Sequence, residues 1–377
     1  MNLFDKKVDR TRSHCEKWDR YKNQDVIPMW VADMDFKSPQ CIIDALQARV
    51  EHGVFGYTSV DDGTNQAVVD FLARHYNWKT DSNWIVWLPG VVPGMNIACR
   101  SVTTQDVIIN TPIYPHFVNA PQNAKKNIIK VPLVEKNNRW TIDFEDFESK
   151  ITSTCKLFMF CNPYNPGGTV FTKDELEKIA SICIKYDLTI CSDEIHADLI
   201  LNPKAKHIPI ASLNEEIAKR SITLLAPSKT FNIAGLQSSF AVIPDVHVRK
   251  NFKRELAGLS SEINLLAITA TRVAYTSCDV WLEKLRVYLA NNLKVIQDFI
   301  SNEPKLKLLD QDATYLAWID VSALKLDNPY EYFLSYGVGL SEGDRFGNEN
   351  FVRLNFGTTK VLLEEGLKRI KIAIDNI

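Results

Sequence analysis

The sequence predicts an α/β protein with a mostly parallel central sheet flanked by helices, plus a smaller α+β unit built from the two ends of the chain. Three observations carry that expectation. Short apolar runs recur through the middle of the chain, segments with helical spacing and cap signals separate them, and the rhythm changes after about residue 280. The runs Trp84–Leu88, Asp106–Asn110, Lys156–Cys161, Leu188–Ser192, Ser221–Ala226 and Ser239–Ile243 are continuous rather than alternating. Strands covered on both faces read that way.

The helices between them carry their own signals. Ser38 followed by Pro39 suits an N-cap with proline at the first helical position. Asn65–Tyr76 places Val68, Phe71, Leu72 and His75 on one face. Thr172 and Glu175 form a capping box ahead of Leu176, Ile179, Ala180, Cys183 and Ile184 at helical spacing. Beyond the α/β rhythm come a long helix over Asp279–Ser301, strands at Tyr315–Val321 and Phe351–Phe356, a Gly-rich turn region at Gly337–Gly347 and a last helix, Val361–Ile374. The expected division is an N-terminal segment, 1–48, packing with a small C-terminal unit, 281–377, around a large domain, 49–280.

Composition narrows the function classes. With 45% hydrophobic and 24% charged residues, the chain can bury a substantial core and is not disordered. A net charge of −2 offers no footprint for nucleic acid or an anionic membrane. No apolar run approaches the roughly 20 residues that span a bilayer, and the start turns charged before a signal-peptide core could form. A soluble, cytoplasmic protein is expected. Eight cysteines without a Cys-x-x-Cys pair, and seven scattered histidines, predict reduced buried thiols and no metal.

The chemistry gathers where strands end, which is where ligands bind in open α/β sheets. Trp84–Leu88 runs into Pro89-Gly90-Val91-Val92-Pro93-Gly94, a glycine turn feeding a helix whose free amides suit a phosphate. No Gly-Lys-Ser/Thr follows, so it is not a Walker loop. Lys156–Cys161 ends in Asn162-Pro163-Tyr164-Asn165-Pro166-Gly167-Gly168. Leu188–Ser192 ends in Asp193-Glu194-Ile195-His196, and carboxylates at the end of a buried strand are costly unless paired or functional. Ser221–Ala226 ends in Pro227-Ser228-Lys229-Thr230, where a partly buried lysine can form a Schiff base. Any one of these residues alone reads as a surface charge or a cap. Four in order on successive strand ends do not.

This set, Asn165, Asp193 and Lys229 with Tyr114 after Pro112, resembles the pyridoxal-phosphate enzymes of aminotransferase fold type I. Further marks resemble the MalY/PatB group of C–S lyases (cystathionine β-lyases): Lys17-Trp18-Asp19, the run Pro28–Phe36, Phe55-Gly56-Tyr57-Thr58, the run Ser192–Leu199 and the run Pro227–Leu236. The resemblance covers essentially the whole chain. It implies that Lys229 holds pyridoxal phosphate and acts as general base. It also implies that Asp193 keeps the pyridine nitrogen protonated, that Asn165 bonds the ring phenolic oxygen with His196 close by, and that Tyr114 stacks on the ring and aids protonation of the leaving group. For the phosphate it points to the Val91 and Val92 amides, Ser228, and Tyr57 from a second subunit, hence a homodimer with shared sites. Arg353 matches the arginine that grips the substrate α-carboxylate, with Val31 and Ala32 closing over it.

Two departures stand out. Gln237 occupies the position where many fold-type I aminotransferases carry a phosphate-binding arginine, which fits the lyases better. The stretch Arg10-Thr11-Arg12-Ser13-His14 lacks a glycine often found in the group. The expected activity is β-lyase cleavage of cystathionine or related cysteine S-conjugates to a thiol, pyruvate and ammonia. An aminotransferase on the same scaffold, and a lyase that also binds a regulatory protein, are the alternatives.

Overall fold

The structure, a computed structural model, describes residues 3–259 and 262–377. Its centre is an eight-stranded sheet of β1 (Ile85–Leu88), β2 (Asp106–Thr111), β3 (Asn127–Lys136), β4 (Arg139–Ile142), β5 (Cys155–Cys161), β6 (Thr189–Asp193), β7 (Ser221–Leu225) and β8 (Ser239–Val242). Their order is β1-β8-β7-β6-β5-β2-β3-β4. The five strands from β7 to β3 run parallel, and antiparallel pairings finish both edges. The apolar runs in the interior of this sheet are buried on both faces, as their continuity requires.

The flanking helices include α1 (Gln40–Glu51), α2 (Asp62–Tyr76), α3 (Val91–Ser101), α4 (Lys173–Lys185), α5 (Leu265–Ser277), α6 (Asp279–Ser301) and α7 (Lys360–Asp375). The Thr172–Glu175 capping box at α4 is present in both directions. Two helix starts differ from expectation. α1 begins after Pro39, which is itself the cap residue, because the Ser38 hydroxyl donates instead to the Asn232 carbonyl, 3.1 Å away. α3 begins at Val91, so Pro93 and Gly94 lie in its first turn rather than in a loop. Gly94 packs against the sheet so closely that a Cβ there would sit 2.9 Å from the side chains of Leu88 and Leu224. The β3–β4 hairpin carries no continuous apolar run; it is a partly exposed edge with charged residues, which periodicity does not detect.

A second, antiparallel sheet contains β9 (Lys307–Leu308), β10 (Leu316–Asp320), β11 (Ser341–Glu342) and β12 (Phe351–Asn355), in the order β9-β10-β12-β11. The N-terminal part reaches it through Ile27–Pro28, which pairs in parallel with Val338–Gly339. Residues 30–36 then cross toward the main sheet without regular structure. Among the described residues no helix is long and apolar enough to cross a membrane. None of their His, Cys, Asp or Glu residues form a group of three or more able to hold a metal ion.

Candidate active site

A cavity of about 680 Å³ opens beyond the carboxyl ends of β1, β2, β5, β6 and β7, which supply Pro89–Val92, Tyr114, Asn165, Asp193 and Lys229 to its lining. Asp193 is not in the loop after its strand but is the last residue of β6, paired with both Cys161 and Leu224. The ladder therefore fixes the carboxylate from both sides. It is 5% exposed, and the only hydrogen bond it accepts among the described residues comes from the Ile195 amide at 3.1 Å. Burial pushes its pKa up to about 7, against that amide bond and the pull of Lys229. A carboxylate held this way lacks a cationic donor.

Lys229 follows β7, and its Nζ donates to the Ala32 carbonyl at 2.7 Å. Burial lowers its pKa to about 8, with Asp33 opposing and Arg353 adding to the fall. Much of the amine is then neutral near pH 8, as a nucleophile toward a carbonyl must be. His196 is buried, its Nδ1 without a partner, and burial lowers its pKa to about 3. It is a neutral imidazole. Tyr114 has its pKa raised by burial, so the phenol keeps its proton.

Arg353 comes from β12, opposite Trp318 and Ser341 in the small sheet. Its Nη1 donates to Asn165 Oδ1 at 3.0 Å and its Nη2 to the Trp30 carbonyl at 3.1 Å and Ser341 Oγ at 3.3 Å, while Nε has no partner among the described residues. The guanidinium lies 4.5 Å from the Phe346 ring. A buried guanidinium holding only neutral acceptors is set to receive a carboxylate.

At the other end of the cavity, Val91 and Val92 are the first residues of α3, where backbone amides lack helical partners. Pro93 has no N–H to add. Ser228 and Gln237 line the cavity with them, adding neutral side chains, and Lys229 is the only lysine in the lining among the described residues. It suits an anion bound by backbone and hydroxyl rather than by charge.

Residues 30–34 roof the cavity. The Ala32 carbonyl also accepts from Tyr315 Oη at 2.9 Å, and the Asn355 side-chain amide donates to the carbonyls of Val31 (2.5 Å) and Asp33 (2.7 Å). Asn232, three residues after Lys229, donates to Met34 and Phe36 carbonyls, both at 2.8 Å. Behind the strap lies a buried ion cluster. Arg10 grips Asp33 (2.6 and 3.0 Å) and Asp35 (2.8 Å), while Lys17, fully buried, and Trp18 hold Asp35 at 2.8 and 2.9 Å. In the sequence, Lys17, Trp18, Asp33 and Asp35 stand out only as marks of the resemblance, and Arg10 only in the stretch that departs from it. Charged side chains among Trp18, Met29 and Phe36 in a stretch without helical or strand periodicity were the available signal.

Of the residues expected at the site, only Tyr57 is absent from the lining. It is fully exposed on the segment between α1 and α2.

The sequence profile of the family described as Aminotransferase class I and II matches residues 24–370. The chain belongs to that family. Within it, the chain is 39% identical to cystathionine beta-lyase PatB of Bacillus subtilis, over 98% of this chain and 99% of PatB. Cystalysin from Treponema denticola, whose crystal structure contains pyridoxal 5′-phosphate, superposes with a TM-score of 0.96 at 34% identity over 100% of this chain and 99% of that one. OvoB superposes equally well, with a TM-score of 0.96 at 41% identity and 98% of each chain covered. These matches share the fold type I architecture that the large parallel sheet and the small antiparallel sheet display here.

Proposed function

We propose that the protein is a pyridoxal-phosphate-dependent C–S β-lyase that converts cystathionine or a related cysteine S-conjugate and water to a thiol, pyruvate and ammonia. One observation carries the reading: a depressed lysine, a buried carboxylate without a cation, and a buried arginine without an anion line the same cavity. The cofactor fits that set. Asp193 would hold its ring N–H, the Val91 and Val92 amides with Ser228 its phosphate, and Asn165 with His196 its phenolic oxygen. When bound, it supplies an aldehyde for the amine of Lys229 and a ring that draws in the electron pair left at Cα.

The chain's own residues do the rest. Arg353 holds the α-carboxylate by exchanging the Trp30 and Asn165 oxygens for two carboxylate oxygens, and the Val31–Ala32 carbonyls close over it. Lys229 would take the Cα proton at Nζ. Tyr114, a protonated phenol, gives its proton to the departing sulfur. Asp193 stays ionised against a cation, which a strand-end carboxylate in a dry site stabilises strongly. The lyase outcome, rather than transamination, is supported by Gln237 and by the likeness to the cystathionine beta-lyase PatB and to a C-S lyase from Staphylococcus hominis.

The reading includes a homodimer working in the cytoplasm. Val54, Phe55 and Tyr57 are exposed together on one segment and do not line the cavity of their own chain. A second copy would seat Tyr57 at the phosphate end, beside the Val91 and Val92 amides. Sedimentation in solution tests that; a monomer that is fully active would remove it. For the reaction, L-cystathionine is supplied without any keto acid, and thiol and pyruvate are assayed. Equal amounts of both are expected. Conversion that requires a keto acid, without thiol release, would overturn the lyase reading in favour of aminotransfer.

A further inference from the structure

Cys41 and Cys278 lie far apart in sequence but together in space. Cys41 is the second residue of α1 and is partly exposed; Cys278 is buried at the junction of α5 and α6. Their Sγ atoms are 2.7 Å apart across a sequence separation of 237 residues. A disulfide forms at about 2.05 Å, so the two sulfurs are already within about 1 Å of bonding distance. No other pair of cysteine sulfurs among the described residues is brought into such contact; Cys99, for comparison, meets the Met159 sulfur at 3.4 Å. Neither residue lines the active-site cavity. All eight cysteines are free and seven are buried, as expected; Cys41 alone is partly exposed.

We propose that Cys41 and Cys278 are a modification site, a dithiol that a small-molecule disulfide of the glutathione class converts reversibly to an intramolecular cross-link. The order of events follows from exposure. Burial and the neighbouring Cys41 thiol push the Cys278 thiol well up, so it is the poorer first nucleophile. Cys41, reachable from solvent, attacks one sulfur of the oxidant as thiolate, forming a mixed disulfide and releasing one small thiol. Cys278 then attacks Cys41 Sγ and displaces the second thiol. Two protein thiols are oxidised to one disulfide and one disulfide is reduced to two thiols, with both protons passing to the released thiolates.

The position gives the cross-link a consequence. α1 continues directly from the strap over the cavity, and Ser38 at that junction is already tied to Asn232 in the lysine loop. Joining α1 to the α5–α6 corner closes a very long loop of chain, which restricts the unfolded ensemble more than a short one. This inference does not depend on the lyase reading.

The test uses the holoenzyme equilibrated in graded mixtures of reduced and oxidised glutathione, quenched with acid, and alkylated. Expected are a mass lower by two hydrogens, a non-reduced peptide joining Cys41 to Cys278, and unchanged monomer mobility on a denaturing gel. A thermal midpoint several degrees higher should accompany them, and all four should reverse with dithiothreitol. Cys41→Ser, at a partly exposed position, should remove the joined peptide and the midpoint shift while leaving the cavity intact. Glutathione retained on Cys41 with Cys278 still open to alkylation, a link to any other cysteine or between subunits, or no oxidation of either residue would each overturn the proposal.

Discussion

The floor of the cavity and its roof are held in place by different means. Asp193 is a rung of the sheet, paired on both sides, and Lys229 follows the neighbouring strand closely. The roof, Trp30–Met34, belongs to no helix or strand. It is placed by side chains that donate to its carbonyls from Arg353, Asn355, Tyr315, Asn232 and Lys229 itself, and by the ion cluster behind it. A floor set by sheet register cannot shift without breaking strand pairing. A roof held by replaceable carbonyl contacts can release Arg353 and Lys229 when a carboxylate and an aldehyde arrive. The difference teaches that backbone pairing fixes Asp193, while on the proposed mechanism the roof carbonyls of Ala32 and Trp30 occupy the donors of Lys229 and Arg353 that an aldehyde and a carboxylate would take.

The comparison is broken most severely at the floor. Lys229→Ala should lower kcat by at least about 10³-fold, because it removes both nucleophile and base. Loss of visible absorbance with retained fold would be measured beside it, and residual turnover within tenfold of wild type would refute the assignment. The same lysine gives a pH signature. Its amine goes from charged to neutral as pH rises through about 8, where an ordinary lysine would wait until 10.5. Reductive capture of pyridoxal phosphate by the apoprotein should therefore climb with pH through that region and then level off. A rate still rising with an inflection near the ordinary lysine value would show that burial does not depress the group.

At the roof the largest effect is on stability. Lys17→Met leaves Asp35 buried with Arg10 and Trp18 still attached. Breaking a buried pair costs about 3–5 kcal/mol, and the remaining partners put this change near about 3 kcal/mol. Burial pushes the Asp35 carboxyl up, but Lys17, Trp18 and Arg10 more than offset it, so its pKa lies below the ordinary value. The stability it contributes is present above the unfolded carboxylate value and lost as pH falls through the depressed one. The mutant should accordingly lose the share of this acid-side dependence that Lys17 supplies, read as a flatter plot of denaturation midpoint against pH. Arg353→Ala comes next. Losing a charge-assisted, bidentate contact of about 1.5–3 kcal/mol should reduce kcat/KM about 10- to 150-fold, chiefly through KM. A change confined to kcat would move Arg353 out of carboxylate binding.

Floor and roof also differ in how far the sequence revealed them. The interior strands, the α4 capping box and the strand-end residues from Asn165 to Lys229 were legible, because each is a local pattern with a single geometric meaning. The Asp193 position was misplaced by one residue, since a run of apolar letters does not show that a carboxylate can close the ladder. The roof was legible only as a motif. Its function depends on Asn232, Tyr315 and Asn355 meeting a carbonyl row some 200 to 320 residues away, and no local spacing encodes such a meeting.

The smallest expected effect sharpens the roof's anchor. Arg12 and His14 adopt left-handed backbone, φ +57° and +55°, on either side of Ser13, in the stretch where the resemblance leads one to expect a glycine. That region costs a residue with a Cβ about 1–2 kcal/mol. Histidine tolerates it better than arginine does. The Arg12 side chain is exposed, whereas Arg10, two residues earlier, is the cation that clamps Asp33 and Asp35. Arg12→Gly should relieve the strain while glycine's greater freedom when unfolded offsets part of the gain, leaving about 0.5–1 kcal/mol of added stability. The urea midpoint should rise with an unchanged slope, and KM should stay at its wild-type value because Arg10 keeps its grip. A lower midpoint would mean that the arginine itself, and not the turn, holds the N-terminal segment against the roof.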